Sequence, residues 1–127
     1  MLTTARELAR RSQAAAGAGD RAGWLALFAD DAVVEDPVGP SPLCPDGQGH
    51  RGAAAIAAFY DSVIGQVETM RFEIERSYLC GDEVADVGAI HLKFPTGDTM
   101  RVNGVFTYRT DGTGRITALR AFWEFGA

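Results

Sequence analysis

A chain of 127 residues is the length of one domain whose core can hold a pocket, and residues 1–127 are read as that single domain. Twelve Lys and Arg against seventeen Asp and Glu leave a formal charge of −5, with no basic run, so neither nucleic acid nor an anionic membrane is expected as a partner. The opening MLTTARELARRSQ lacks the apolar stretch of a signal peptide, Cys44 and Cys80 have no C-x-x-C spacing, and His50 and His91 are the only histidines. The expectation is a soluble cytoplasmic protein with no disulfide, metal or other cofactor.

Thr4-Ala-Arg-Glu7 opens a capping box, and the Ala-rich run after it predicts a first helix that stops at Gly17. Asp20 is placed to N-cap a second helix, on which Trp24, Leu27 and Phe28 at i, i+3 and i+4 form one apolar stripe. The strand Ala-Val-Val-Glu-Asp over residues 32–36 follows. It ends at Pro37, which has no N–H to donate and holds the residue before it extended. Residues 37–52 contain four of the five prolines and several glycines, the composition of an exposed or lid-like loop. From Ala53 to about Val67, Ile56, Phe59, Tyr60, Val63 and Ile64 recur with helical period and predict a third helix. Residues 70–75, 84–94, 100–110 and 115–125 then alternate as strands, separated by the turn sequences CGDE, PTGD and DGTG. Three helices followed by four long strands make an α+β domain, with helices packed on a curved antiparallel sheet around a cone with an apolar mouth.

Alternation singles out Asp36. If Val34 faces the core, Asp36 faces the same way and Glu35 points to the other side of the sheet. A carboxylate on an apolar face is costly when ionised, so it is either partnered or used in chemistry. A plain Asp-Pro turn is the competing reading.

The stretch LFADDAVVEDPVG, then Gly52, Ala55, Ile56, Phe59 and Tyr60 in a G-x-x-A-I-x-x-F-Y pattern, then GRITALRAFW, resembles the Δ5-3-ketosteroid isomerase family, which shares the nuclear transport factor 2-like, or SnoaL-like, fold. GWLALFADD, PDGQGHRG and GVFTYR bring the chain nearer still to a mycobacterial subgroup of isomerase-like proteins. The resemblance implies a cone-shaped sheet wrapped around three helices, a homodimer, and a steroid or similar polycyclic ketone as the hydrophobic small-molecule partner. The family is itself the usual illustration of carboxyl groups tuned apart: one Asp is the base, and a tyrosine with a protonated Asp holds the enolate oxygen. Asp36 falls at the position of the base. The tyrosine position falls on Ser12 and the protonated-Asp position on Phe106, so the resemblance implies an isomerase of reduced or altered activity with a non-standard oxyanion hole. Phe59, Tyr60 and Trp123 match positions around the family's steroid pocket, and their aromatic faces suit a flat ligand.

Ordinary core packing explains Tyr60 and Trp123 equally well, and Phe106 is expected in the core unless the pocket reaches it. Asp86, centred in EVADVGAI, is expected at an edge or facing solvent, His91 as an exposed or simply hydrogen-bonded histidine, and Asn103 as outward if Phe106 is inward. Asn103, His91 and Tyr108 are the side chains left to supply an oxyanion donor. Two other functions fit the same residues. Epoxide hydrolases and polyketide epoxide-opening cyclases resemble the EDPVG segment, and need a second inward acid, for which Asp86, Glu68 and Glu124 are the candidates. A steroid-binding protein without turnover is the third.

Overall fold

The computed structural model describes residues 3–126 and is an α+β fold of three helices against one six-stranded sheet. Helix α1 (Ala5–Ala18) starts as the capping box predicts, with the Glu7 N–H donating to Thr4 Oγ1 at 3.2 Å. It runs past Gly17 and stops at Gly19, whose φ of 68° is the left-handed cap that ends a helix. Gly17 lies within the helix, where an added Cβ would sit 3.1 Å from the Met70 carbonyl, so the glycine serves a close approach to the sheet rather than a stop. Helix α2 (Arg21–Leu25) is capped by Asp20, which accepts from the Gly23 N–H at 3.0 Å, and lasts little more than one turn. The expected stripe is therefore split between elements. Trp24 lies on α2 and Phe28 opens strand β1 (Phe28–Glu35), yet their rings still pack 4.5 Å apart.

Across the Pro-rich loop the chain forms only the two-residue strand β2 (His50–Arg51) before helix α3 (Ala53–Ser62). The third helix ends sooner than expected, and Ile64–Gln66 tightens into a 3₁₀ turn where Gly65 meets the Tyr60 carbonyl. The remaining strands are β3 (Thr69–Cys80), β4 (Glu83–Lys93), β5 (Thr99–Thr110) and β6 (Ile116–Phe122). Their sheet order is β2-β1-β6-β5-β4-β3. One pair departs from the expected antiparallel pattern. Strand β1 runs parallel to β6, pairing Val34 with Leu119 and Glu35 with Arg120, because the last strand returns beside the first after three hairpin-linked passes. Trp123 to Phe125 lie beyond β6 rather than within it.

The register sorts inward side chains into rows across the sheet. One row carries Leu119, Tyr108 and Val84; the next carries Ala121, Phe106, Asp86 and Ser77; the next carries Gly104 opposite Gly88. A bulge between Ile74 and Arg76 resets the alternation of β3, so that Ser77 and Leu79 return to the inner face. At Gly104 a Cβ would collide with the Phe122 carbonyl, and at Gly88 with the Glu73 carbonyl. The glycine pair lets neighbouring strands close in, which is where a sheet bends most easily. Behind the bend, Trp24, Phe59, Phe106, Leu8, Ile56 and Ile116 are fully buried, each contributing about 1.5–3 kcal/mol on removal from water.

Candidate active site

Strand β1 delivers Asp36 as alternation predicts. Val34 is fully buried, Glu35 points to the opposite face and pairs with Arg120 Nε at 2.6 Å, and Asp36, one residue on, lines an internal cavity. The Asp36–Pro37 peptide is cis. The cavity has a volume of about 280 Å³, near the lower end of small-molecule sites. Its walls are mostly apolar: Ile90, Leu92 and Val102 from the sheet, Val63 and Ile64 just after α3, and Trp123 from the segment after β6. Leu43 of the Pro-rich loop closes one side.

Among the described residues that line the cavity, Asp36 is the only one with an ionisable side chain. Burial lifts its pKa from 3.8 to about 6, and the Trp123 indole, donating Nε1–H to Asp36 Oδ1 at 2.5 Å, works in the opposite direction by favouring the carboxylate. A carboxylate so placed is ionised at neutral pH yet basic enough to take a proton from carbon.

Trp123 and Asp36 are brought together; the other expected ligand contacts are elsewhere. Phe59, Tyr60 and Phe106 are buried in the hydrophobic core, and none is a wall of the cavity. The reason is packing: Tyr60 lies 5.5 Å from the Trp24 ring, His50 stacks 4.7 Å from Phe59, and Phe72 meets Phe106 edge-on at 6.2 Å. Ser12 is buried as well, where its Oγ accepts the Trp24 Nε1–H at 3.1 Å. The actual apolar walls were legible only as the inward alternation of β4 and β5.

Asp86 overturns its expectation of facing solvent. It is 2% exposed, in the same cross-strand row as Phe106, and one oxygen accepts from Gln13 Nε2 at 2.8 Å. Its other oxygen, Oδ1, has no hydrogen-bond partner among the described residues. Gln13 Nε2 also lies 3.5 Å from the hydroxyl of Tyr108, which is 2% exposed. Burial, reinforced by the negative charges of Asp86 and Asp36, holds that phenol well above its ordinary pKa, while Gln13 and Ser12 pull it down. Glu68 and Glu124 are exposed, His91 is bonded to Glu73 at 2.8 Å, and the exposed Asn103 accepts from Arg101 Nε at 2.9 Å. Gln13 is the residue that the sequence did not single out. Its only signal was its place beside Ser12 on the helix face that meets the sheet.

The SnoaL-like domain family matches residues 9–119. A steroid Delta-isomerase of Nocardioides simplex is 35% identical over 122 residues, 94% of this chain and 88% of that protein. Among solved structures, a Δ5-3-ketosteroid isomerase from a Mycobacterium species is 44% identical with a TM-score of 0.90, covering 97% of this chain and 95% of that one. RV0760c of Mycobacterium tuberculosis, solved in complex with estradiol-17beta-hemisuccinate, is 40% identical with a TM-score of 0.88, covering 95% and 94%. With sequence and fold matching over nearly the whole length, the chain belongs to the SnoaL-like domain family, among its ketosteroid isomerase-like members.

Proposed function

We propose that this protein binds a steroid or similar flat polycyclic ketone in the apolar cavity, and that Asp36 moves a proton between two carbons of the bound ring system. The observation that carries the reading is one carboxylate in the wall of an apolar cavity, with its pKa pushed up to about 6 by burial. The steroid in the RV0760c complex and the isomerase activity named for the Nocardioides relative support the ligand class and the reaction class. In the step itself, Asp36 takes the proton from the carbon beside the ketone. The electron pair left behind moves onto the ketone oxygen, and the proton returns two carbons away as the pair swings back. Ser12 and Phe106, at the positions of the family's two donors, offer no such pair to the enolate, so turnover is slower than in a relative that has both. Losing one such donor typically costs about 10²- to 10³-fold in rate. The homodimer implied by resemblance is part of the same proposal, and sedimentation of the free protein tests it.

The deciding experiment is isomerisation of a Δ5-3-ketosteroid by the parent and by Asp36→Asn, followed by ultraviolet absorbance of the conjugated product. Asp36→Asn keeps the shape and removes the basic oxygen, and should cost about 10²- to 10⁴-fold, the usual worth of a positioned base. An undiminished rate would refute Asp36 as the base. A second reading, epoxide opening by an acid and a base, gains from buried Asp86 with its unpartnered oxygen. Hydrolysis of an apolar epoxide that needs both Asp36 and Asp86 would favour it. Saturable binding of steroids without turnover of either substrate would leave the chain a binding protein.

A further inference from the structure

Between Gly39 and Gly49 the Pro-rich loop reads P-S-P-L-C-P-D-G-Q, and Leu43 is the one large aliphatic side chain in it. That side chain lines the cavity that holds Asp36 and takes no part in the hydrophobic core. Resting on the steroid reading above, we propose that Leu43 sets the size of ligand the site accepts, from a flap that meets the cavity through this one side chain.

The flap is stiff within itself. Ser41 and Cys44 exchange main-chain N–H to carbonyl bonds at 3.2 and 3.0 Å, and the Gly47 N–H donates to the Cys44 carbonyl at 3.0 Å. The Leu43 N–H donates to Ser41 Oγ at 3.1 Å, and Asp46 Oδ1 accepts from the Gln48 N–H at 2.9 Å. Pro40 lies so close to Gly47 that a Cβ added there would meet its ring at 2.8 Å, which pinches the neck of the flap. Pro40, Pro42 and Pro45 each fix one backbone angle. A segment restrained in this way holds Leu43 in a set position, as a size filter requires.

The same flap is loosely joined to the body of the protein. At one end the Val38 N–H donates to the Ala121 carbonyl at 2.9 Å, and at the other Gly49 packs against Val33 and Glu35 of β1. From Gly39 to Gly47, every hydrogen bond among the described residues stays within residues 39–48. The sheet wall is held differently. Leu92 is paired with Met70 on one side and Met100 on the other, so displacing it disturbs three strands at once. At about 280 Å³ the cavity falls just below the roughly 300–1,000 Å³ usual for small-molecule sites. A four-ring ligand therefore presses on its walls, and the wall that yields without breaking strand pairing is the one Leu43 forms. One methylene more or less in an apolar site changes affinity by about 10- to 200-fold, which is enough for a single leucine to rank ligands by bulk.

The test titrates a series of 3-ketosteroids, each carrying one alkyl substituent at a different ring position, against the parent, Leu43→Ala and Leu43→Phe by tryptophan fluorescence. The parent should bind the unsubstituted steroid and disfavour at least one substituted member by about tenfold or more. Leu43→Ala should bind that member about tenfold better than the parent does, and Leu43→Phe should bind it more weakly still, so that affinity follows the size of residue 43 in both directions. Both variants should melt within about 3 °C of the parent, because Leu43 lies outside the core. The same affinities and ranking across the series in all three proteins, or a parent that binds every member alike, would overturn the size role while leaving steroid binding intact. Failure of all three proteins to bind any steroid would overturn the steroid reading and this proposal with it.

Discussion

Asp36 is held between two opposed influences, and the balance makes its chemistry and its cost to the fold two sides of one quantity. Burial raises its pKa from 3.8 to about 6, and the Trp123 indole pulls it back. Between those two values the folded chain binds more protons than the unfolded chain. The contribution of Asp36 to stability is thus most favourable below about pH 4, falls as pH rises through 6, and is level above, the total cost being about 2–3 kcal/mol. Asp36→Asn keeps an acceptor for the indole and removes the charge. It should melt higher than the parent at pH 7.5, with the advantage closing toward pH 4; a difference that does not change with pH would contradict the burial account. Activity should run the other way, rising through about pH 6 as the base ionises. Trp123→Phe removes the indole donor and should move that rise to higher pH, read from the acid limb of the rate profile.

At the scale of elements, the site depends on where the sheet bends. Gly88 and Gly104 face each other across β4 and β5, and a side chain on either would strike a neighbouring carbonyl. Gly104 also backs onto the start of Trp123, whose Cβ would lie 3.2 Å from an added methyl. Gly104→Ala should therefore lower stability by about 2–3 kcal/mol, as overpacking against a fixed backbone does, measured by urea unfolding. It should also disturb the indole that holds Asp36. Retained stability with unchanged Trp123 fluorescence would show that the bend tolerates a Cβ. The parallel pairing of β1 with β6 is the second structural determinant, because it sets Glu35 beside Arg120 and so fixes which way Asp36 faces.

For the molecule as a whole, occupation of the cavity is tied to folding. The cone is lined by residues from α3, the Pro-rich loop, three strands and the segment after β6, so a ligand that fills it bridges elements far apart in sequence. A steroid present at about 100 times its Kd should add roughly 2.7 kcal/mol to stability, raising Tm by about 10 °C for a chain of this length. Differential scanning fluorimetry with and without ligand checks this. Asp36→Asn should show nearly the same shift, since apolar contact rather than the base supplies the binding. No shift with any of a panel of steroids would count against the ligand class.

Local pattern carried much of this into view. The caps at Thr4 and Asp20, the strand character of residues 84–94 and 100–110, and the inward turn of Asp36 and Phe106 are all legible, because each depends on residues a few positions away. The resemblance of LFADDAVVEDPVG and GRITALRAFW likewise identified the fold family before any contact was known. Asp86 was misread because a lone carboxylate in a strand ordinarily turns to water. Its partner, Gln13, lies 73 residues away on a helix that reaches it only in the folded cone. The aromatic residues Phe59, Tyr60 and Phe106 went to the core for a similar reason. Periodicity states which face of an element is apolar, and only the packing of all the elements decides whether that face meets a neighbour or an empty cavity.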